Sequence, residues 1–253
     1  MDEGAPKDGA ARPRYPLAVT SPRFLYLHGF ASGPRSKKGV ATAEHYGRLG
    51  VDIDCLDLRL PSFERLRVSA MIDEVRRRIG GDRERVVLFG SSLGGLVASR
   101  VAEMDARVAS LVLLAPAFDL SRRWRDRLGA EGMARWADTG FLEVDDLTTG
   151  SKARVDHGFF LDVEAVDGSS GVLPDVRVPT LVLHGTRDDV VTIDRSRDFA
   201  RGRRHVTLIE LDDGHELIAS LPRILSASES FLAPFLGSLA CSLVATPPSL
   251  RHA

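Results

Sequence analysis

Residues 85–104 read RVVLFGSSLGGLVASRVAEM, and this stretch decides the fold. Residues 85–89 are a short, almost continuous apolar run, which is typical of a strand buried on both faces. From residue 93 to residue 104 the apolar residues recur at helical spacing instead. Glycine and serine, which are residues of tight turns, fill the interval between the two patterns. The stretch therefore predicts a strand, a sharp turn and a helix in direct succession.

The turn itself, Gly90-Ser91-Ser92-Leu93-Gly94, matches the pattern G-x-S-x-G. Between a strand and a helix this pattern predicts a nucleophile elbow, which holds its central serine in a strained conformation with the hydroxyl exposed at the sheet edge. The glycines two positions before and after Ser92 keep side chains away from that bend. We therefore predict that Ser92 is a nucleophile. The alternative is a glycine–serine turn that leads into a helix N-terminus and binds a phosphate.

A serine hydroxyl is a weak nucleophile unless a base lies within hydrogen-bond reach. His215 is the candidate base, because it lies between an apolar run at residues 206–211 and a helical pattern at residues 216–235. A histidine at that position belongs to a loop at the carboxyl edge of the sheet, level with the elbow. The alternative is a surface histidine that caps the last helix. His28 and His184 each precede a glycine at a strand end, and we interpret them as structural or peripheral.

The third member of such a site is a carboxylate that orients the histidine and stabilises its protonated form. The segment His184-Gly185-Thr186-Arg187-Asp188-Asp189 follows the next-to-last apolar run and supplies two candidates. Either aspartate gives the chain order serine, aspartate, histidine that an elbow of this kind requires. We predict that Asp188 is the acid and keep Asp189 as the alternative.

The oxyanion of a tetrahedral intermediate needs amide donors. The Leu93 amide directly follows the nucleophile and is one candidate. The loop after the first apolar run, Leu27-His28-Gly29-Phe30, supplies the second candidate, and we predict that it is the amide of Phe30. Gly29 allows the backbone of this loop to turn toward a substrate. The alternative is a simple turn without a catalytic role.

The rest of the chain repeats the alternation of strand and helix. Apolar runs of strand type occupy residues 24–27, 51–58, 85–89, 111–114, 180–183 and 206–211. Helical patterns occupy residues 37–49, 69–79, 93–104, 194–201 and 216–235. Apolar strands that alternate with helices predict a mostly parallel sheet flanked by helices on both faces.

Residues 119–178 interrupt this alternation and hold both tryptophans of the chain, Trp124 and Trp136. Because the insert follows a strand end, where α/β sheets place their ligand crevice, we predict a helical cap over the site. The tryptophans then form an apolar, substrate-binding pocket wall or, alternatively, the core of the cap. Four arginines of the insert form either a cationic mouth for an anionic substrate or a solvated helix face: Arg122, Arg123, Arg125 and Arg127.

Composition indicates one soluble domain. The chain has 253 residues, of which 43% are hydrophobic and 27% are charged, and its net charge is -1. This balance gives no sign that nucleic acid or an anionic membrane is a partner. The sequence contains none of the residue spacings typical of metal, dinucleotide or P-loop sites, so we expect neither a metal nor another cofactor.

The two ends of the chain are expected to lie outside the folded domain, which we place at residues 22–236. Residues 1–21 lack the apolar segment of a signal peptide and are predicted to form a disordered leader. Residues 237–253 are predicted to form a flexible tail, and the apolar stretch before them falls short of the roughly 20 residues that a membrane span requires. With Cys55 and Cys241 interpreted as free thiols, we expect a cytoplasmic protein.

Residues 26–37, YLHGFASGPRSK, resemble the N-terminal signature of the small bacterial esterases of the YqiA type, which belong to the α/β-hydrolase superfamily. The segments around Ser92, Asp188 and His215 are also similar, so the resemblance covers most of residues 23–235. It implies the α/β-hydrolase fold and hydrolysis of a small-molecule ester or thioester without a cofactor. The insert is longer than in the simplest members, so their substrate preference does not transfer to this chain.

The resulting prediction is two-step acyl transfer by Ser92, His215 and Asp188. Three other enzymes of the same fold remain as alternatives, namely a thioesterase, a peptidase and a carbon–carbon bond hydrolase. A non-catalytic ligand-binding protein is a further alternative, but such proteins usually lose a residue of the triad. Here all three positions are filled, which favours an enzyme.

Overall fold

A computed structural model of the protein describes residues 22–167 and 173–240, with side chains up to residue 236. The predicted leader, residues 1–21, lies outside the described residues. So do residues 241–253 of the predicted tail, which include Cys241. The other cysteine, Cys55, carries a free thiol.

Eight strands and seven helices make up the described chain. The strands are β1 (Arg23–Leu27), β2 (Ile53–Leu56), β3 (Val86–Ser91), β4 (Val108–Leu114), β5 (Phe141–Asp146), β6 (Ser151–Asp156), β7 (Thr180–Gly185) and β8 (Val206–Leu211). The helices are α1 (Lys37–Arg48), α2 (Val68–Ile79), α3 (Leu93–Met104), α4 (Leu120–Thr139), α5 (His157–Asp167), α6 (Asp194–Ala200) and α7 (Leu221–Ala240). Six strands form one sheet in the order β2-β1-β3-β4-β7-β8, and every neighbouring pair is parallel. The predicted parallel sheet between helices is confirmed.

The central strands are buried on both faces, because helices cover both sides of the sheet. On β1, Leu25 and Leu27 belong to the core that α2 and α3 complete. Phe24 and Tyr26 belong to the opposite core, which α1 and α7 complete. The same period of two continues along the other central strands. Burial on both faces fixes the register of the strands and therefore the position of their carboxyl ends.

The strand order reverses between β1 and β3, which are neighbours in the sheet although β2 lies between them in the chain. The helices that follow these two strands pack on opposite faces of the sheet. In open α/β sheets the crevice at such a reversal is the usual place for a ligand. The loop after β1 carries Gly29 and Phe30, and the turn after β3 carries Ser92. Topology therefore places these two loops side by side.

The connection from β4 to β7 contains the predicted insert. Helix α4 comes first, followed by an antiparallel hairpin of β5 and β6 and then by α5. The sequence predicts a helical insert and does not anticipate the hairpin, because its strands are half exposed and rich in charge and so lack a continuous apolar run. Helix α4 is interrupted at Gly129, whose φ of 64° lies in the left-handed region that favours glycine.

The last helix begins later than the sequence predicts, at Leu221 instead of residue 216. Asp213 accepts a hydrogen bond from the Ser220 amide at 2.8 Å, and Leu217 adopts a positive φ of 56°. These two features hold the intervening residues in turns. The loop after β8, which carries the candidate base, is therefore longer than expected.

Candidate active site

Ser92 stands between β3 and α3 in a backbone conformation that few residues other than glycine adopt. Its φ is 53° and its ψ is -115°. A conformation of this kind costs on the order of 1–3 kcal/mol and persists only where the surroundings enforce it. Here the Ser92 amide donates to the Leu114 carbonyl at 2.9 Å, and the Ser92 carbonyl accepts from the Ala117 amide at 3.0 Å. The end of β4 and the loop after it therefore hold the sharp turn.

Two glycines make this turn sterically feasible. A Cβ on Gly90 would lie 2.5 Å from the carbonyl oxygen of Gly94, and a Cβ on Gly94 would lie 2.1 Å from the carbonyl oxygen of Leu27. Because no side chain tolerates such distances, α3 approaches β1 and β3 closely only where both positions lack one. The G-x-S-x-G spacing therefore reflects a packing requirement as well as a chemical one.

The ring of His215 joins two other predicted site residues. Its Nδ1 lies 2.7 Å from Oδ2 of Asp188, and its Nε2 lies 3.2 Å from Oγ of Ser92. Because a carboxylate only accepts hydrogen bonds, Nδ1 carries the proton and donates it, which leaves Nε2 of the neutral ring as an acceptor for the Ser92 hydroxyl. Asp189 is exposed, and no hydrogen bond or ion pair among the described residues joins it to His215. The structure thus brings Ser92, Asp188 and His215 together.

The Asp188 carboxylate is fully enclosed, and each of its oxygens faces two donors. Oδ1 accepts from the amides of Val190 and Val191 at 2.9 and 2.6 Å. Oδ2 accepts from His215 and faces Nε2 of His184 at 3.2 Å. Burial alone would raise the pKa of Asp188, but hydrogen bonds from the two histidines and from the Val191 amide outweigh burial and hold this pKa far below its ordinary value. Asp188 is therefore ionised at neutral pH.

His184 is a second histidine beside the same carboxylate, whereas the sequence predicts only a structural or peripheral role for it. The ring is completely buried at the end of β7, with Nε2 2.7 Å from the Val191 carbonyl and Nδ1 2.8 Å from Oγ of Ser196. Because a carbonyl only accepts, Nε2 carries a proton and donates it. The ring therefore fixes the loop that presents Asp188. The spacing of four residues between His184 and Asp188 is the feature of the sequence that could have indicated this contact.

A buried lysine holds the loop that follows β8. Lys38 lies in the first turn of α1, is 8% exposed and donates to the carbonyl of Glu216, the residue after His215, at 3.0 Å. Burial lowers the pKa of Lys38, while nearby carboxylates, Glu216 foremost, oppose that shift. No sequence pattern predicts this contact, because its two residues lie 178 positions apart in the chain.

The loop after β1 approaches Ser92 directly. A Cβ on Gly29 would lie 3.3 Å from Cβ of Ser92 and 3.9 Å from its Oγ, so the glycine leaves the space beside the hydroxyl open. The Phe30 amide follows in this loop, and the Leu93 amide follows Ser92 in the elbow. Within residues 22–167 and 173–240 neither amide donates to a protein acceptor. Both predicted oxyanion donors are thus available to a ligand oxygen.

His28 precedes these donors and fixes their loop. Its Nδ1 donates to the Gly29 carbonyl at 2.9 Å, and its Nε2 accepts from the Leu58 amide at 3.0 Å. One ring nitrogen donates and the other accepts, so the ring is neutral. Burial lowers the pKa of His28, although the Asp57 carboxylate lies 3.7 Å away. This geometry fits the structural role predicted for His28.

An open cleft of about 620 Å³ contains Ser92 in its wall. Its other lining residues include Phe30 from the loop after β1, Leu120 and Trp124 from α4, and Val190 from the loop after β7. The cleft therefore lies between the sheet edge and the insert, and its volume falls in the range of small-molecule sites. Trp124 is in a position to contact a ligand.

Trp136, the second predicted substrate contact, does not line this cleft. Its indole is 1% exposed, lies 5.3 Å from that of Trp124 between ring centres, and donates to the Val155 carbonyl at 3.1 Å. The rings of His157 and Phe160 also pack against it. Trp136 therefore forms part of the core of the insert, which was the alternative to a pocket wall.

The four arginines near the start of α4 divide into two pairs. Arg122 lies 3.5 Å from a carboxylate oxygen of Asp126, and Arg125 pairs with a glutamate of α5. Arg123 and Arg127 line the cleft. Two of the four arginines predicted to form a cationic mouth therefore line the cleft, and the other two lie beside carboxylates.

Other reactive groups are few in the described residues. Burial raises the pKa of the Cys55 thiol to about 11, so this thiol is protonated at neutral pH. Across these residues no cluster of three histidine, cysteine, aspartate or glutamate side chains is placed to hold a metal ion. The same part of the chain has no helix whose length and apolar character suffice to cross a membrane.

Residues 23–232 match the sequence profile of a family described as "Uncharacterised protein family (UPF0227)". The chain belongs to this family. The match runs from the first strand into the last helix and confirms the resemblance to the YqiA type. No curated protein matches the sequence.

Several solved structures share the fold at low sequence identity. Alpha/beta hydrolase domain-containing protein 10 from mouse is 20% identical, with a TM-score of 0.69 over 85% of this chain and 90% of that one. Est1E from Butyrivibrio proteoclasticus is 20% identical, with a TM-score of 0.64 over 85% and 88%. Paleococcus ferrophilus monoacylglycerol lipase is 18% identical, with a TM-score of 0.63 over 85% and 96%. These similarities confirm the predicted α/β-hydrolase fold.

Proposed function

We propose that this protein is a serine hydrolase that cleaves carboxylic ester or thioester bonds of small molecules. The observation that carries the proposal is the position of the His215 ring, 2.7 Å from Asp188 and 3.2 Å from Ser92. A base between an orienting carboxylate and a serine hydroxyl is the arrangement that activates serine as a nucleophile. The strained backbone of Ser92 adds support, because such strain clusters at functional sites.

In the first half-reaction Oγ of Ser92 attacks the carbonyl carbon while Nε2 of His215 takes the hydroxyl proton. The ring becomes positively charged, and the ionised Asp188 stabilises that charge through its hydrogen bond. The amides of Phe30 and Leu93 bind the oxyanion, and loss of one such donor typically raises the barrier by about 3–4 kcal/mol. His215 then gives the proton to the departing alcohol or thiol, which leaves an acyl group on Ser92.

In the second half-reaction water takes the place of the alcohol. Nε2 of His215 accepts a proton from the water as its oxygen attacks the acyl carbon, and the same two amides bind the second oxyanion. His215 then returns the proton to Ser92 as the carboxylic acid departs. His184 and Lys38 transfer no proton in this scheme; they position the Asp188 carboxylate and the base loop.

The phosphate-binding alternative for the elbow has less support. A phosphate cradle needs several free amides at the helix N-terminus. Here the Ser92 amide donates to Leu114 and the Gly95 amide donates to the Ser92 carbonyl, each at 2.9 Å. Two amide donors of the turn are therefore already engaged. In addition, phosphate binding would not need a histidine base hydrogen-bonded to the serine hydroxyl.

Covalent labelling tests the proposal most directly. A fluorophosphonate reacts with a serine that a base activates, so we expect one adduct per chain on Ser92, measured by intact-mass and peptide analysis. Ser92→Ala should abolish the adduct. Ser91→Ala is the matched control, because Ser91 lies in the same turn and is buried, and this variant should still be labelled. A folded protein without an adduct, or with its adduct on Ser91, would contradict the proposal.

A second experiment separates ester hydrolysis from the other reactions of this fold. We compare turnover of an aryl ester, an acyl-CoA thioester and an aminoacyl amide at equal concentration. Ester and thioester turnover are expected to dominate, because an aryloxide or a thiolate leaves more readily than an amine. Faster turnover of the amide would assign a peptidase instead. Aryl esters of increasing acyl length then give the preferred chain length.

A further inference from the structure

Two arginines of α4 line the cleft that contains Ser92. Arg123 and Arg127 are four residues apart, so they lie on the same face of the helix, one turn from each other. Arg123 is half-buried, while Arg127 is exposed and its guanidinium carbon lies 6.0 Å from the centre of the Trp124 ring. The insert therefore presents two positive charges to the proposed reaction centre.

Neither guanidinium has a carboxylate partner among the residues that the structure describes, although their neighbours on the helix do. Arg122 lies 3.5 Å from Asp126, and Arg125 pairs with Glu164. Like charges one helical turn apart repel each other, and a partly buried cation without a partner is costlier than one in water. Arg127 gains a cation–π contact with Trp124, whereas Arg123 has no ion pair or cation–π contact among the described residues, and an anionic ligand would supply it with a partner.

The cleft also contains two carboxylates, Asp126 and Asp189. Asp126 already has a cationic partner in Arg122. Asp189 is exposed, so water and salt screen its charge. Arg123 is less exposed and therefore less screened. An anion beside Arg123 is therefore expected to gain more from it than it loses to these two more exposed aspartates.

Arg123 also lies within electrostatic reach of the triad. Burial lowers its pKa, and among the charges that oppose this shift Asp188 is the foremost. The oxygens of Asp188 are engaged by two amides and two histidines, so this carboxylate attracts Arg123 without forming an ion pair with it. An arginine stays protonated in proteins, so its charge is available to a substrate.

We propose that Arg123 and Arg127 bind an anionic group of the substrate, so that the preferred esters carry a carboxylate or phosphate in addition to the bond that is cleaved. This inference rests on the proposed ester hydrolysis. The planar guanidinium group offers paired N–H donors that match two oxygens of a carboxylate or phosphate. A cleft of about 620 Å³ has room for such a group together with the acyl and alcohol parts of an ester.

The test compares two aryl esters of equal length that differ in charge, the 4-nitrophenyl monoester of adipic acid and 4-nitrophenyl hexanoate. We expect wild-type kcat/KM to favour the adipate monoester. Arg123→Gln should raise KM for the adipate monoester about tenfold more than KM for the hexanoate, the size expected for charge-assisted hydrogen bonds. Arg127→Gln should do the same to a smaller extent, because its side chain is more exposed.

Arg135→Gln is the control, since this arginine lies on the same helix, pairs with Glu131 and does not line the cleft. It should leave the ratio of the two KM values as in the wild type. Arg123→Lys, which keeps the charge and loses the planar donors, should fall between wild type and Arg123→Gln. Equal KM changes in Arg123→Gln for this pair of esters and also for the thioester pair below, or the same shift in Arg135→Gln, would overturn the proposal.

A further pair of substrates identifies where the anionic group lies. An acyl-CoA carries phosphates on its leaving group, whereas the adipate monoester carries a carboxylate on its acyl part. The uncharged reference for the thioester is the S-acyl-N-acetylcysteamine with the same acyl chain. If Arg123→Gln raises KM for only one of the two charged substrates, the anionic group lies on the acyl part or on the leaving group accordingly. If KM rises for neither substrate, the anion site is contradicted.

Binding without turnover separates this inference from the proposed function. Calorimetry on Ser92→Ala compares monomethyl adipate with dimethyl adipate, with and without Arg123→Gln. We expect tighter binding of the anionic monomethyl ester, weakened by Arg123→Gln and by added salt. If wild type hydrolyses no ester but this binding is seen, the function fails and the anion site stands. If esters are hydrolysed and neither Arg123-dependent binding nor an Arg123-dependent KM difference for either charged substrate is seen, the anion site fails and the function stands.

Discussion

The catalytic edge of the sheet and the insert that faces it are held in place by different kinds of interaction. At the edge, backbone groups do most of the positioning: the strained turn fixes Ser92, and two amides fix the Asp188 carboxylate. The insert is positioned mainly by side-chain ion pairs. Arg67, directly before α2, donates to both oxygens of Asp156 in the insert at 2.7 and 2.9 Å, and Arg100 of α3 lies 3.2 Å from Asp167 at the end of α5.

The two regions meet at the loop after β1. The Phe30 ring lies 5.5 Å from the rings of both Trp124 and Phe159, while its amide is a proposed oxyanion donor. The Ala31 carbonyl in the same loop accepts from the Leu147 amide of the hairpin turn at 2.9 Å. We therefore expect the edge to govern the chemical step and the insert to govern the choice of substrate. Variants at the edge should act mainly on the rate, and variants in the insert mainly on substrate preference or stability.

The largest effect is expected from Ser92→Ala. Loss of the nucleophile should lower kcat for an aryl ester by roughly 10⁴- to 10⁶-fold, as for other serine hydrolases of this mechanism. The melting temperature should stay nearly unchanged, because alanine meets the same positive φ as serine. Steady-state kinetics and thermal unfolding measure the two quantities. A variant that retains more than a few per cent of the activity would remove Ser92 from the mechanism.

The next effect separates the two neighbouring aspartates. Asp188→Asn should lower kcat by about 10⁴-fold, because an amide no longer stabilises the protonated ring or fixes its tautomer. Asp189→Asn is the control and should change kcat by less than about threefold, since Asp189 is exposed and His215 forms its hydrogen bond with Asp188 instead. Equal losses in the two variants would mean that the contact at 2.7 Å does not identify the acid.

A smaller loss is expected at His184. His184→Phe removes the donor to the Val191 carbonyl and to Asp188, so kcat should fall by about 10- to 100-fold, which corresponds to a lost hydrogen bond to a charged group. The pKa of Asp188 should rise toward its ordinary value, so the stability that its ionised carboxylate contributes should be lost at a higher pH. His184→Gln, which keeps a donor, should recover part of the rate. A lower free energy of unfolding with unchanged kcat would restrict His184 to a structural role.

In the insert, substitution of one tryptophan should change the preference for acyl length, and substitution of the other should change the stability of the fold. Trp124→Ala should shift the ratio of turnover between long and short acyl esters about threefold or more, because Trp124 lines the cleft. Trp136→Ala should mainly destabilise, by about 3–5 kcal/mol for a buried aromatic ring, which thermal unfolding detects. If Trp136→Ala changes the chain-length profile more than Trp124→Ala does, the insert does not shape the cleft through the side chain that lines it.

The smallest effect concerns acid stability and needs no substrate. The pKa of Asp188 is lowered in the folded state, so its contribution is present above the unfolded value of about 3.9 and is lost as pH falls through the folded value. The difference in urea midpoint between wild type and Asp188→Asn should therefore shrink as pH decreases from 5 to 2. A constant difference over that range would show that the ionised carboxylate does not stabilise the fold.

The sheet and the elbow were predictable because both follow from local patterns. Apolar runs predict the strands, since a strand buried on both faces has no polar alternation. The hairpin of β5 and β6 was not predicted, because its half-exposed strands lack a continuous apolar run. The start of α7 at Leu221 was missed because a side chain, Asp213, caps the preceding turn instead of continuing the helix. Sequence patterns therefore predict an element poorly where side-chain contacts, and not a regular spacing of buried residues, determine its structure.

The sequence by itself determined the parallel sheet, the bend at Ser92 and the presence of a histidine and a carboxylate on loops at the same edge. These follow from strand period, glycine spacing and chain order, all of which are local or topological. Only the tertiary structure decided that Asp188, not Asp189, meets His215, and that Trp124, not Trp136, lines the cleft. Neighbouring positions of a loop or helix point in different directions, so the side chain that reaches a distant segment is set by packing between segments and not by the order of residues.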